Sequence, residues 1–144
     1  MKDYICGAAG IVLGAAASLF GGWDGCIATL VILMGIDYIT GLLVAGVFHA
    51  SKKSKNGSLE SRAGFKGLCR KGVTMLIVLI AAMLERVSGV GFIRDAVVIA
   101  YIASELISIT EDAGLMGVPI PGAILRAIDI LKDSSENDES KSEN

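Results

Sequence analysis

The sequence predicts an all-α integral membrane protein, with four transmembrane helices in two hairpins and a C-terminal amphipathic helix. Three observations carry that reading. Of the 144 residues, 53% are hydrophobic and only 19% charged, against about 45–50% and 25% in soluble domains. The charges concentrate between His49 and Gly72 and after Lys132. The stretches left bare have the length, about 20 residues, that a helix needs to cross a hydrocarbon core. One domain is all that the length requires.

The first span covers about residues 4–23, an uncharged run between Asp3 and Asp24. Ala15-Ala16-Ala17 resembles a signal-cleavage site. Lys2 is offset by Asp3, however, and the run is longer than a signal core needs, so an uncleaved helix is expected. Gly21, Gly22, Trp23, Asp24 and Gly25 form a tight hairpin tip, with Trp23 suited to the headgroup level. The second span, about 25–48, is interrupted only by Asp37. A third, about 72–93, follows Lys71, and a fourth, about 95–112, contains Glu105. Read strictly, the fourth runs only 15 residues, Ala96 to Thr110, and the alternative to a full span is a partly inserted or re-entrant helix. Glu85, Arg86, Arg94 and Asp95 cluster where a far-side turn exposes them.

The loop 49–71 carries Lys52, Lys53, Lys55, Arg62, Lys66, Arg70 and Lys71 against one acid, Glu60. Positive charge favours the cytoplasmic side, so the loop and both termini are expected in the cytoplasm of a bacterial cell, against the inner leaflet. Residues 1–112 thus form the transmembrane domain. In residues 113–132, Gly114, Gly117, Pro119 and Pro121 break the chain. Ile120, Ile124, Leu125, Ile128 and Leu131 then share one helical face, opposite Arg126, Asp129 and Asp133, as in a helix lying on the membrane surface. The stretch 133–144 is acidic, serine-rich and without an apolar residue, and is expected to be disordered.

Composition also excludes functions. A net charge of −2 and eight aromatics give no nucleic-acid surface. Three cysteines, one histidine and no CxxC or HExxH spacing leave no basis for a metal site or disulfide framework. Cys6, Cys26 and Cys69 read as small hydrophobes. No catalytic triad or phosphate loop is present, so neither an enzyme nor a cofactor is expected.

What remains is polar chemistry inside the membrane. Asp37 lies near the middle of its span, where a charge costs at least about 2.5–3.5 kcal/mol and must be neutralised, paired or wetted. Thr40 and Gly41 give it a narrow polar face. Glu105 sits in the inner part of the fourth span. Each carboxyl lines a hydrated path or only fixes helix packing. Arg86 either snorkels outward or meets Asp37 across the bundle. Small residues mark helix contacts in lipid, because leucine gains little there by leaving acyl chains. Gly10, Gly14, Ser18 and Gly22 form one such seam; Ala96, Ala100, Ser104 and Ser108 form another. Packing within the chain accounts for part of both, and self-association through one of them is expected.

Three sequence blocks then stand in order. Asp37-Tyr38-Ile39-Thr40-Gly41 comes first, and Gly64-Phe65-Lys66-Gly67 with Arg70-Lys71 second. The third is Ser104-Glu105-Leu106-Ile107-Ser108-Ile109 leading to Gly117-Val118-Pro119-Ile120-Pro121. The series, from about Gly22 to Lys132, resembles the toxin-secretion/phage-lysis holin family. Ser104 and Asp112 stand where members often have Asn. The resemblance implies a homo-oligomer that accumulates in the host cytoplasmic membrane and opens lesions, through which a cytoplasmic endolysin or a toxin leaves. Two other classes fit the composition: a small ion channel or transporter using Asp37 and Glu105, and a membrane anchor that recruits a cytoplasmic partner.

Overall fold

A computed structural model describes residues 1–51 and 60–142, with side chains as far as residue 137. Every element among the described residues is helical: α1 (Lys2–Leu19), α2 (Gly25–Gly46), α3 (Ser61–Ser88), α4 (Ile93–Leu115) and α5 (Gly122–Ser142). Three of them, α1, α2 and α3, are long and apolar enough to cross a membrane. The expected fourth span corresponds to α4, whose 23 residues suffice in length but include Arg94, Asp95, Glu105, Glu111 and Asp112.

Helix starts and stops follow local chemistry. Asp24 caps α2, its carboxylate accepting from Ile27 N at 3.0 Å, which satisfies one of the donors a helix start leaves open. Gly89 ends α3 in the left-handed region at φ 73°, a conformation glycine adopts without a Cβ penalty. Gly21 and Gly22 turn the chain between α1 and α2 with φ of 87° and 98°.

The core lies where α2, α3 and α4 meet. Ile27, Leu30 and Met34 of α2, Val78 of α3, and Val98 and Ile102 of α4 form one buried cluster. Their spacing of three or four residues keeps each set on one helical face. The outward faces are equally apolar: Ile32, Ile36 and Ile39 of α2 and Leu76, Ile80 and Leu84 of α3 are exposed. Contiguous apolar surface on that scale is suited to lipid rather than water.

α1 stands apart. None of its residues is buried, and it packs only against α3 among the described helices. α5 packs against α4, with Ile128 buried and Leu131 resting on the core cluster. Ile124 and Leu125, expected on the same face, remain exposed. Helix α5 continues to Ser142, through a stretch expected to be disordered. No glycine or proline interrupts it there, and Ser134 and Ser135 donate back to the carbonyls of Ile130 and Lys132.

Helix α3 differs most from expectation. It begins at Ser61, so Arg62, Lys66, Arg70 and Lys71 are helical residues rather than loop residues. Lys52, Lys53 and Lys55 lie outside the described residues.

Candidate functional site

Extending α3 back to Ser61 changes the role of Lys71. Gly64, Gly67, Lys71, Thr74 and Val78 recur at three- and four-residue intervals, which places them on one face. That face points into the bundle. Lys71 Nζ reaches Asp37 Oδ2 on α2 at 2.7 Å and Glu105 Oε2 on α4 at 2.6 Å. One ammonium therefore ties three helices together. All three side chains are largely shielded, at 15%, 8% and 13% exposure for Lys71, Asp37 and Glu105. Charges so placed persist only when paired.

A second polar contact lies one turn along α2. Thr40 Oγ1 is 2.8 Å from Asp112 Oδ2 and 3.0 Å from the carbonyl oxygen of Asp37. Asp112 is buried. Its Oδ2 also lies 3.8 Å from where a side chain on Gly41 would begin, so the narrow face beside Asp37 lets α4 approach.

Asp37, Gly41, Lys71 and Glu105 line a cavity of about 350 Å³ between α2, α3 and α4. The void exists because the facing positions are small: Gly41 on α2, Ala63, Gly64 and Gly67 on α3, Ser104 and Ser108 on α4. Tyr38 crosses its edge, its hydroxyl 3.6 Å from the position of a Cβ on Gly64. A Cβ there would be in ordinary van der Waals contact with the tyrosine.

The opposite end of the bundle is held by Arg94. Its Nε donates to the Phe20 carbonyl at 2.6 Å, Nη2 to the Gly22 carbonyl at 3.3 Å, and Nη1 to Asp24 and Asp95 at 2.8 and 2.9 Å. Its backbone N–H donates to Glu85 Oε2 at 2.9 Å. A planar guanidinium with five donors suits such a convergence of carbonyls and carboxylates. The hydrogen bond from Arg94 holds the Asp24 carboxyl below the ordinary aspartate range, with help from the Ile27 N–H. The turn needs glycine at Gly21 for its positive φ, and a side chain there would begin 3.3 Å from Arg94 Nε, close enough that the arginine would have to shift by a few tenths of an ångström.

The expected site residues divide accordingly. Asp37, Thr40 and Glu105 converge, with Lys71 at their centre. Arg86 does not meet Asp37; its guanidinium donates to the Ser18 carbonyl of α1. The seam of α4 is partly internal, since Ser108 and Ala100 are half-buried; Ser104 borders the cavity but is exposed. On α1 the seam is shorter than expected, because the helix ends at Leu19 and Gly22 belongs to the turn. Gly10 and Gly14 have open space where a side chain would begin. Arg62 and Lys66 are exposed along α3, whereas Arg70 reaches the cavity. Lys71, Arg94 and Asp112 had no place among the expected intramembrane polar residues. For Lys71 the available signal was its helical register with Gly64 and Gly67. Among the described residues, no group of three or more His, Cys, Asp or Glu side chains is placed to hold a metal ion.

Comparison with known proteins adds a family. The profile of a bacteriophage holin family matches residues 14–133. A probable holin of Bacillus phage phi105 is 32% identical over 111 residues, which cover 76% of this chain and 75% of the phage protein. An uncharacterized protein of Halalkalibacterium halodurans is 39% identical over 98% of this chain and 100% of its own length. Another, from Listeria monocytogenes, is 37% identical over 85% of this chain and 83% of its own. No solved structure matches.

Proposed function

Since the chain belongs to the bacteriophage holin family, we propose that it is a holin of the bacterial cytoplasmic membrane, self-assembling to open lesions that release a cytoplasmic endolysin or toxin. On this reading α4 crosses as a fourth span after α1, α2 and α3, and both termini face the cytoplasm. Arg94 and its carboxylates then lie at the outer face. The basic residues at the start of α3 meet the inner leaflet, where each near-surface Lys or Arg adds roughly 1 kcal/mol of attraction to anionic lipid.

The contrast between α1 and the other spans is the observation that carries the proposal. α2, α3 and α4 share a core and an ion bridge, while α1 buries no residue and leaves Gly10 and Gly14 open. A three-helix core, with an apolar helix outside it that bears small residues and packs only lightly against α3, supports assembly through α1. The bundle remains shut while Lys71 holds its two carboxylates.

The second reading, a narrow cation path, rests on the same Lys71 bridge, since Asp37 and Glu105 reach it from two different helices. Expression in bacteria beside a muralytic enzyme that lacks any export signal separates the two. A holin gives abrupt lysis that requires the enzyme. An ion path depolarises the cells while the enzyme stays inside.

A further inference from the structure

We infer that the groove between α1 and the α2–α3 face of the bundle holds one acyl chain of a phospholipid, whose phosphate is met by Arg86. The site requires the membrane placement proposed above and is independent of lysis.

Shape is the first ground. The groove has a volume of about 420 Å³, within the range of small-ligand pockets. Ile27 of α2 and Met75 of α3 line one side, and Leu13, Gly14 and Ala17 of α1 the other. Among the described residues that line it, none carries a charge or a hydroxyl. Leu13 and Trp23 are exposed along it, so it opens sideways, as entry from a bilayer requires.

The gap is kept by polar contacts at one end rather than closed by packing. Arg86 donates to the Ser18 carbonyl, and Arg94 to the carbonyls of Phe20 and Gly22. These bonds fix the end of α1, while Gly14 and Ala17 are too small to fill the space beside them. A helix of a second copy is about 10–12 Å across. Seating one there would part α1 from α3, which are in contact. A single hydrocarbon chain fits beside that contact.

Charge at the mouth is the second ground. Met75, Leu79, Ala82 and Arg86 recur at three- and four-residue intervals, which places the arginine on the same face of α3 as the groove. Arg86 is exposed, and among the described residues its guanidinium makes no ion pair. The acids at that end are engaged by another residue: Asp24 and Asp95 meet Arg94 Nη1, and Glu85 accepts from the Arg94 N–H. A guanidinium has five donors in a fork that matches phosphate, and Arg86 spends one on Ser18. Phosphate is the anion that a membrane presents at the head of an acyl chain. Trp23, at the same end, suits the headgroup level.

The full chain, reconstituted in nanodiscs of phosphatidylcholine brominated along its acyl chains, is then exchanged into bromine-free detergent. Native mass spectrometry counts the phospholipid that stays. Trp23 is the chain's only tryptophan and lines the groove, so bromine held there quenches its fluorescence. Retained phospholipid with a quenched Trp23 is the expected result. Both should fall severalfold in Ala17→Leu, which fills the groove, and in Arg86→Gln, which keeps a donor for Ser18 but removes the charge. Arg86→Lys, which keeps the charge, should hold most of the lipid. Circular dichroism and membrane fractionation follow folding and insertion of each variant. A chain that enters the nanodisc but retains no lipid overturns the site alone; one that never enters overturns the membrane placement with it. Retention unchanged in Ala17→Leu or Arg86→Gln, or lost equally in Arg86→Lys, also overturns the site. So does a Trp23 shielded from bromine in oligomers that carry no lipid, which gives the groove to a second copy.

Discussion

Thr40 on α2 meets Asp112 on α4 at 2.8 Å, one helical turn beyond the aspartate that Lys71 holds. At the other end of the same helix pair, Arg94 of α4 grips Asp24 at the start of α2, also at 2.8 Å. Between them lie Ile27, Leu30, Met34, Val98 and Ile102. In lipid, hydrocarbon contacts add little beyond close packing, so the polar contacts at the two ends carry much of the register.

Lys71→Met should be more damaging than removing all three charges. It leaves Asp37 and Glu105 facing each other without a cation, and breaking one side of a buried pair costs about 3–5 kcal/mol. The triple variant Lys71→Met, Asp37→Asn, Glu105→Gln should recover much of that loss. Resistance of the detergent-solubilised protein to unfolding by dodecyl sulfate measures both.

Asp37→Asn keeps a hydrogen-bonding oxygen beside Lys71 and leaves Glu105 to balance its charge. It should fold, with lysis occurring at an altered time. Asp37→Leu removes both charge and hydrogen bond, and should insert but fail to lyse. Equal, wild-type timing in both variants would remove Asp37 from the opening step.

Asp24 gives a prediction in pH. Its carboxyl is held below the ordinary range by Arg94, so the folded chain binds that proton less readily than the unfolded one. The stabilisation is full above the ordinary aspartate range, and is lost as pH falls through the lowered value. Because Asp24 is 48% exposed, the pair is worth only about 0.2–1 kcal/mol. Asp24→Asn retains the helix cap and should flatten this part of the acid profile, read by thermal unfolding between about pH 2 and 6.

Gly14→Leu tests the face of α1. Among the described residues a Cβ there meets nothing within 4 Å, and Gly14 borders a gap shared with Phe20, Ile27 and Met75, so insertion and folding of the variant are checked alongside assembly. Detergent-extracted assemblies should become smaller and lysis should be delayed or lost. Unchanged assembly size would shift self-association to another surface.

Single cysteines at Lys55, Trp23 and Ser135, with Cys6, Cys26 and Cys69 replaced, count the spans. Four spans place Lys55 and Ser135 inside and Trp23 outside, so only the last should react with an impermeant thiol reagent in intact cells. A reactive Ser135 with a protected Lys55 would mean that α4 does not cross.

Much of this arrangement was legible in the sequence, and the gaps have physical causes. Asp37 and Glu105 stood out because each interrupts an apolar run, where a charge has few tolerated environments. The partner of both was missed because Lys71 closes a basic stretch. At a membrane boundary, charge marks the edge of the hydrocarbon without distinguishing helix from loop. The inward face of α2 was equally hidden. Its lipid-facing Ile32, Ile36 and Ile39 are as apolar as its buried Ile27, Leu30 and Met34, so periodicity carries little contrast. For α4, seam spacing alone did not reveal that Ser104 and Ser108 border a cavity, because small residues serve close packing and open space alike.

The ion bridge also imposes an order on biosynthesis. Asp37 and Lys71 are 34 residues apart, and Lys71 and Glu105 are another 34. At about 5–20 residues per second, the ribosome takes roughly 2–7 s to travel each interval. The nascent α2 must therefore enter the bilayer with its acid still uncompensated, carried by the leucines, isoleucines and valines around it. Lys71 arrives next and balances that acid. Only translation past Glu105 supplies the third member, so the finished bridge records that synthesis has passed the middle of α4.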